Sequence, residues 1–219
     1  MKTPDAALDK ISEDRDRVLA QQNVSRETIA RLDAFVGALL TWQAKTNLIA
    51  PSTISEVWTS HIADSLQLVK IAPEAKIWVD LGSGGGFPGL VIACALDPSA
   101  KVHLVESNSK KAAFLREAAR LAPAPTAVIH AQRIEDFLQQ FQGVPDVVMA
   151  RALAPLPKLL EYVAPLVEKG AKALLLKGQD IADELTEASK YWKVEAELVP
   201  SQTDSGGRIV IVRELQRVK

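Results

Sequence analysis

The chain has 219 residues, of which 47% are hydrophobic and 24% charged, which suits one α/β domain with an extension and a sizeable core. Its formal net charge is −1, with 8 Lys/Arg against 9 Asp/Glu in residues 1–70 and 18 against 18 in residues 71–219, so bulk charge does not favour a polyanionic partner and only a local patch could serve one. The single cysteine, Cys94, excludes an intrachain disulfide and a zinc site of several cysteines, and no apolar run is long enough for a transmembrane helix.

Met1 to Asp5 form no signal-peptide core, and a reducing cytoplasm is the expected location. Residues 5–20 are charge-rich, with Ala6, Ala7, Leu8, Ile11, Val18 and Leu19 as apolar positions, and read as a short amphipathic helix or an arm. Residues 26–43 form a better helix, because Ile29, Leu32, Phe35, Val36, Leu39 and Leu40 recur at helical spacing and Ser25 suits the N-cap. Beyond Pro51, helical spacing puts His61 and Ser65 on one face with Asp64 beside them. Three residues so close on one helix do not reproduce a Ser/His/Asp triad, in which the base is held from behind. A local structural role is the expectation.

Residues 77–89 organise the rest. Ile77, Trp78, Val79 and Leu81 make a buried strand with Asp80 near its end. Gly82, Gly84, Gly85 and Gly86 follow, and Pro88 opens a helix over Leu90–Leu96. Such a turn lets a ligand approach main-chain N–H groups. Gly84, Gly86 and Gly89 match the G-x-G-x-x-G dinucleotide fingerprint. A second frame, Asp80-x-Gly82-x-Gly84-x-Gly86, resembles motif I of class I S-adenosylmethionine (SAM) methyltransferases. A carboxylate there suits the ammonium group of SAM and would repel a pyrophosphate, so SAM is favoured over NAD.

Strand and helix then alternate. Strands are expected at 102–105, 127–130, 146–150 and 171–176, with helices at 109–121, 134–141, 156–168 and 180–191 between and after them. Two strands, 194–199 and 208–212, close the chain without a helix between them, which gives a mostly parallel seven-stranded sheet with one antiparallel member. The expected domains are an arm or helix at 1–24, a helical cap at 25–72 and a Rossmann-like domain at 73–219.

Ligands of open α/β sheets bind at the carboxyl ends of the strands. The candidates there are Asp80 and the glycines, then Glu106, which can accept ribose hydroxyls in either a NAD or a SAM site. Arg133, Arg151 and Lys177 place three cations at three successive strand ends, where they could grip nucleic-acid phosphates, and Lys110 and Lys111 could extend the patch. Arg151 to Ala154 stand where amino-group methyltransferases often carry an Asn/Asp-Pro-Pro-aromatic run, and Cys94 sits in a core helix, away from any nucleophilic role. An acceptor that needs no deprotonation fits these absences, and guanine N7 is one.

Trp42 to Leu48, His61-x-x-Asp64-Ser65, Asp80 to Gly89, Arg133-x-Glu135, Arg151-Ala152 and Leu176-Lys177-Gly178 occur in the order of the RsmG (GidB) family, and the resemblance spans residues 25–213. That resemblance implies a class I SAM-dependent methyltransferase fold with an N-terminal helical cap, and methylation of guanine N7 in bacterial 16S rRNA of the small ribosomal subunit or its assembly intermediate. It implies SAM contact at Gly82, Phe87, Ile134, Glu135 and Arg151, beside the Asp80, Gly84, Gly86 and Glu106 read above. It also implies activity or RNA contact at Arg133, Lys110, Lys177 and Arg208, with Arg151, Lys177 and Arg133 as the residues closest to the reaction. No metal, membrane or obligate protein partner is expected. The chain departs from the pattern at Gln43, where Asn is usual, and at Gly206-Gly207-Arg208-Ile209, where Gly-Glu-Arg-His is usual. The alternatives are a small-molecule SAM methyltransferase, an NAD-dependent oxidoreductase and a non-catalytic RNA-binding module.

Overall fold

The computed structural model describes residues 4–218. Seven strands form one sheet in the order β3-β2-β1-β4-β5-β7-β6. They are β1 (Ile77–Leu81), β2 (Lys101–Val105), β3 (Ala127–His130), β4 (Val147–Arg151), β5 (Lys172–Lys177), β6 (Trp192–Pro200) and β7 (Arg208–Arg217). β1 pairs in parallel with both β2 and β4, so the strand order reverses there and leaves a crevice at the carboxyl ends. Only β7 runs against the rest, paired to β5 and β6. The expected architecture is observed, with boundaries that shift by a few residues.

The central strands are apolar on both faces because helices cover both. Trp78, Leu104, Met149, Leu174 and Ile209 pack on the face covered by α2 (Arg26–Gln43), α4 (Gly89–Ala95) and α5 (Ser109–Leu121). Val79, Leu81, Val148, Leu175 and Val210 pack on the other, under α6 (Ile134–Gln140), α7 (Leu156–Val167) and α8 (Ile181–Ala188). The period-two alternation of a strand assigns each residue its face. Asp80 therefore shares the face of Trp78 and points toward α4.

The N-terminal helices cover the first face and reach over the crevice. α1 is a full helix (Pro4–Leu19), bound to α2 by the two-pronged Arg15–Asp33 pair at 2.6 and 2.7 Å. Ser25 caps α2 as expected, its Oγ accepting from the Thr28 N–H. A 3₁₀ turn (Pro51–Glu56) and a π-helical turn (Trp58–Ala63) precede α3 (Asp64–Ile71). Gln43 bridges the bend after α2: its amide donates to the Ile49 carbonyl and its oxygen accepts from the Leu48 and Ile49 N–H groups. None of the helices among the described residues is long and apolar enough to cross a membrane.

α1 is locked to the cap by one buried acid. Asp14, 2% exposed, accepts from the Trp58 N–H at 2.9 Å, the Thr59 N–H at 3.1 Å and the Thr59 hydroxyl at 2.6 Å. It does for the π-helical turn what an N-cap side chain does for an α-helix. Asp14→Ala, which leaves two N–H groups without a partner, is expected to cost about 2–3 kcal/mol in urea unfolding, whereas Arg17→Ala, which removes only the exposed partner of Asp14, should cost under about 1 kcal/mol.

Candidate active site

The turn after β1 closes on β2. The Gly82 and Ser83 N–H groups both donate to the Val105 carbonyl, at 2.9 and 3.0 Å. Gly82, Gly84 and Gly86 take positive φ angles of 77°, 53° and 90°, where a side chain would be strained. At Gly82 a Cβ would also come within 2.6 Å of Leu153. Glu106, at the end of β2, accepts from the Gly84 N–H at 2.9 Å and the Asn108 N–H at 2.7 Å, which fixes both of its oxygens beside the turn. These groups wall a cavity of about 530 Å3, with Phe87, Ile134 and Leu153 as its apolar sides and Lys111 at its edge. Its volume lies within the range of small-molecule sites.

Two of the expected ligand residues sit elsewhere. Asp80 is fully buried beneath the turn, where Oδ2 accepts from the Gly89 N–H and Oδ1 has no partner among the described residues. Burial pushes its carboxyl up to about 7; the nearby Glu106 adds to the rise, and hydrogen bonds from Ser83 and Gly89 oppose it. The strand's alternation turned this side chain away from the ligand edge, so Asp80 supports the turn from below. Gly86 lacks a Cβ because Phe35 and Leu90 lie 3.0 and 3.1 Å from where it would stand, and Gly89 because Asp80 does. Two of the three glycines in the dinucleotide frame thus serve packing.

Arg151, the last residue of β4, joins this cavity to the cap. Its Nη2 donates to the Ser60 carbonyl at 2.8 Å, its Nε lies 3.4 Å from Asp64 Oδ2, and its buried Nη1 has no partner among the described residues. Ala152 follows with φ of 48°, a strained conformation for a residue with a side chain. Beside them stands His61. The Thr53 hydroxyl gives its one proton to the Ala50 carbonyl, so the His61 Nε2–H must donate to Thr53 at 2.8 Å and Nδ1 stays bare. Burial, helped by the positive Arg151, pushes His61 down to about 3, which leaves the ring neutral and a poor base. Ser65 donates to the His61 main-chain carbonyl, not to the ring, so no triad exists here.

A second cavity of about 570 Å3 adjoins the first and shares Thr53, Arg151 and Ala152 with it. Lys177 and Arg208 line it. Lys177 Nζ is held by Glu184 at 2.7 Å and the Ala154 carbonyl at 3.1 Å, and Arg208 donates to the Ser205 and Gly207 carbonyls. Asp64 Oδ1 gathers Gln67, Thr203 and Ser201 and so ties the cap to the β6–β7 loop.

The three strand-end cations are therefore not one cluster. Arg151 and Lys177 meet at the second cavity, whereas Arg133 is 71% exposed and pairs loosely with Glu135 at 3.7 Å. Glu135 accepts from the Tyr162 hydroxyl and lines neither cavity, and Lys110 lies in solvent on the first turn of α5. Thr53, His61 and Asp64 line the cavities without having been assigned to a ligand site, and Lys111, expected only to extend the phosphate patch, lines the first. The available signal for His61 and Asp64 was their spacing with Ser65 around Ile62 and Ala63, and Thr53 carried none.

This sheet order, with a glycine-walled cavity and an acid at the end of β2, is that of a class I SAM-dependent methyltransferase. Solved structures share the fold. The cofactor-bound protein Rv0187 from MTB aligns with a TM-score of 0.60 at 17% identity over 84% of this chain and 90% of that one. An O-methyltransferase from Bacillus cereus in complex with SAH aligns at 0.58 and 15% identity over 82% and 90%. The model of the GidB family, rRNA small subunit methyltransferase G, matches residues 28–209. Proteins named ribosomal RNA small subunit methyltransferase G are 57% identical in Bradyrhizobium sp. strain BTAi1, over 94% of both chains, and 52% identical in Methylobacterium sp. strain 4-46, over 94% of this chain and 97% of the other. The chain belongs to the GidB family.

Two outcomes follow from the turn. Gly84 has open space around it but a φ of 53°, so Gly84→Asp should still fold, at a cost of about 1 kcal/mol in urea unfolding, and lose SAM affinity by tenfold or more in an equilibrium titration, because the new carboxylate stands beside Glu106. Asp80 holds its proton in the folded chain up to about pH 7, whereas in the unfolded chain it ionises near 3.8. Folding therefore binds a proton between these values, and the contribution of Asp80 is fully present below pH 4 and lost as pH rises to 7. Wild-type stability measured relative to Asp80→Asn should fall across that window and level off above it.

Proposed function

We propose that this chain transfers a methyl group from SAM to N7 of one guanine in 16S rRNA of the bacterial small subunit. The observation that carries this reading is the pair of adjoining cavities, one glycine-walled and one lined by Arg151, Lys177 and Arg208, with Arg151 and Ala152 as their common wall. The residues present suit SAM. Glu106 is oriented by two N–H donors for a ribose diol, Phe87 and Ile134 offer apolar faces for a base, and the turn's backbone is open at Gly84. Bound there, SAM supplies a methyl group activated by its sulfonium, which a lone pair such as guanine N7 takes without losing a proton.

The residues around the junction match that demand. No strong base faces it: His61 is held neutral with its pKa near 3, and Asp64 is engaged with Arg151, Gln67 and Thr203. Arg151 and Lys177 orient the acceptor, and their tethers to Ser60, Asp64, Glu184 and Ala154 restrict their motion. Positioning of this kind accounts for much of the rate when no proton must move. Arg133, Lys110 and Arg208 serve as phosphate contacts on the rim, residues 25–72 as the cap and 73–219 as the methyltransferase domain. The target guanine has to leave its stack for N7 to reach the junction. The reaction takes place in the cytoplasm, on the small subunit or its assembly intermediate.

The test is transfer of labelled methyl from SAM to small subunits and to naked 16S rRNA, both lacking the modification, with the product mapped by cleavage selective for 7-methylguanine. Label at one guanine is expected. No label on either substrate while SAM still binds would reject the rRNA reading. Arg151→Lys, which replaces a planar fork with a point charge on the wall of both cavities, should lower turnover about 100-fold and weaken SAM binding as well.

A further inference from the structure

A third opening lies on the same side of the molecule. It is a notch of about 230 Å3 between the end of α1, the π-helical turn, α3 and the β6–β7 loop. Arg17 and Lys70 line it together with Gln21, Gln22, Gln202 and two threonines, and no carboxylate does so among the described residues. One of those threonines, Thr203, also lines the second cavity, so the β6–β7 loop has the notch on one flank and that cavity on the other.

The notch is cationic in a chain whose net charge is −1. Arg17 directs Nη2 at Asp14 and the Thr59 hydroxyl, and its side chain is otherwise 55% exposed. Asp14 offsets part of that charge from below, but it is buried and its oxygens are occupied by the Trp58 and Thr59 donors. Lys70 is exposed and has no ion pair among the described residues. The Thr59 and Thr203 hydroxyl protons go to Asp14 and Asp64, but two cations and the side-chain amides of Gln21, Gln22 and Gln202 around a small hollow suit a phosphodiester, which offers only acceptor oxygens and negative charge.

We infer that this notch holds a backbone phosphate of the RNA strand whose target nucleotide enters the second cavity, an inference that rests on the rRNA reading above. The strand passes over the β6–β7 loop, with the target on one side and a flanking phosphate on the other. The contact positions the strand without reading its sequence. Arg17 lies in α1, ahead of residues 28–209 that the family model matches, so the contact belongs to this chain's N-terminal helix.

The test is the double variant Arg17→Gln/Lys70→Gln, assayed for equilibrium binding of 16S rRNA and for methyl transfer to small subunits across a salt series, with urea unfolding as the check on folding. Binding and KM should weaken about fivefold or more, kcat and SAM affinity should stay unchanged, and the log–log salt slope should become shallower by about 0.7 for the lost phosphate contact. Lys101→Gln, on an exposed residue at the opposite end of the strands, should change none of these. Unchanged rRNA affinity and salt slope in the double variant would overturn the inference, as would a loss confined to kcat. A wild-type protein that binds rRNA through the notch but methylates none would instead sink the parent reading.

Discussion

The junction at Arg151 is the constraint on which the site depends. A guanidinium whose side chain is only 20% exposed is costly to hold unless its N–H groups find acceptors, and here a main-chain carbonyl of the π-helical turn and a carboxylate of α3 supply them. Burial lowers the arginine's pKa and Asp64 opposes the shift, so the pair exists because each partner makes the other tolerable. The cap and the sheet thus meet at a charged contact, not only an apolar one. That contact forms part of the wall shared by the two cavities, so whatever fixes the cap also fixes that wall.

The glycine turn obeys a separate constraint from beneath. Asp80 is sealed in the face that α4 covers, and the helix can approach it only because residue 89 has no side chain. The turn is consequently held on one side by Val105 and Glu106 and on the other by a carboxyl group that burial keeps protonated over much of the acidic range. Gly82 to Gly85 line the cavity, with open space for a side chain only at Gly84, while Gly86 and Gly89 face Phe35 and Asp80. Glycines of identical appearance in one motif therefore do two different jobs, backbone access and close packing.

A chain of nearly zero net charge handles a polyanion by sorting its charges. Three acids of the N-terminal region are engaged internally, Asp14 with the π-helical turn, Asp33 with Arg15 and Asp64 with Arg151. Arg17, Lys70, Lys177 and Arg208 are left along one side of the crevice. The local field along the crevice is set by this arrangement and not by the sum of charges.

Much of this was legible in the residues alone. The alternation of apolar strands with amphipathic helices, the cap residue Ser25, the glycine turn and Glu106 at the end of the second strand all follow from local rules of period, capping and turn geometry, and the structure meets them. Arg151, Lys177 and Arg208 were legible as positions at strand termini, because strand ends are local features too. What only the tertiary structure decided is direction and company. Asp80 lies against α4 and not at the ligand edge, Arg133 and Glu135 turn to solvent, and His61 comes to the cavity wall because a π-helical turn, held by an acid 47 residues earlier, places it there. These outcomes depend on contacts between segments far apart in the chain, and spacing along a sequence carries no record of which distant segment will supply a partner.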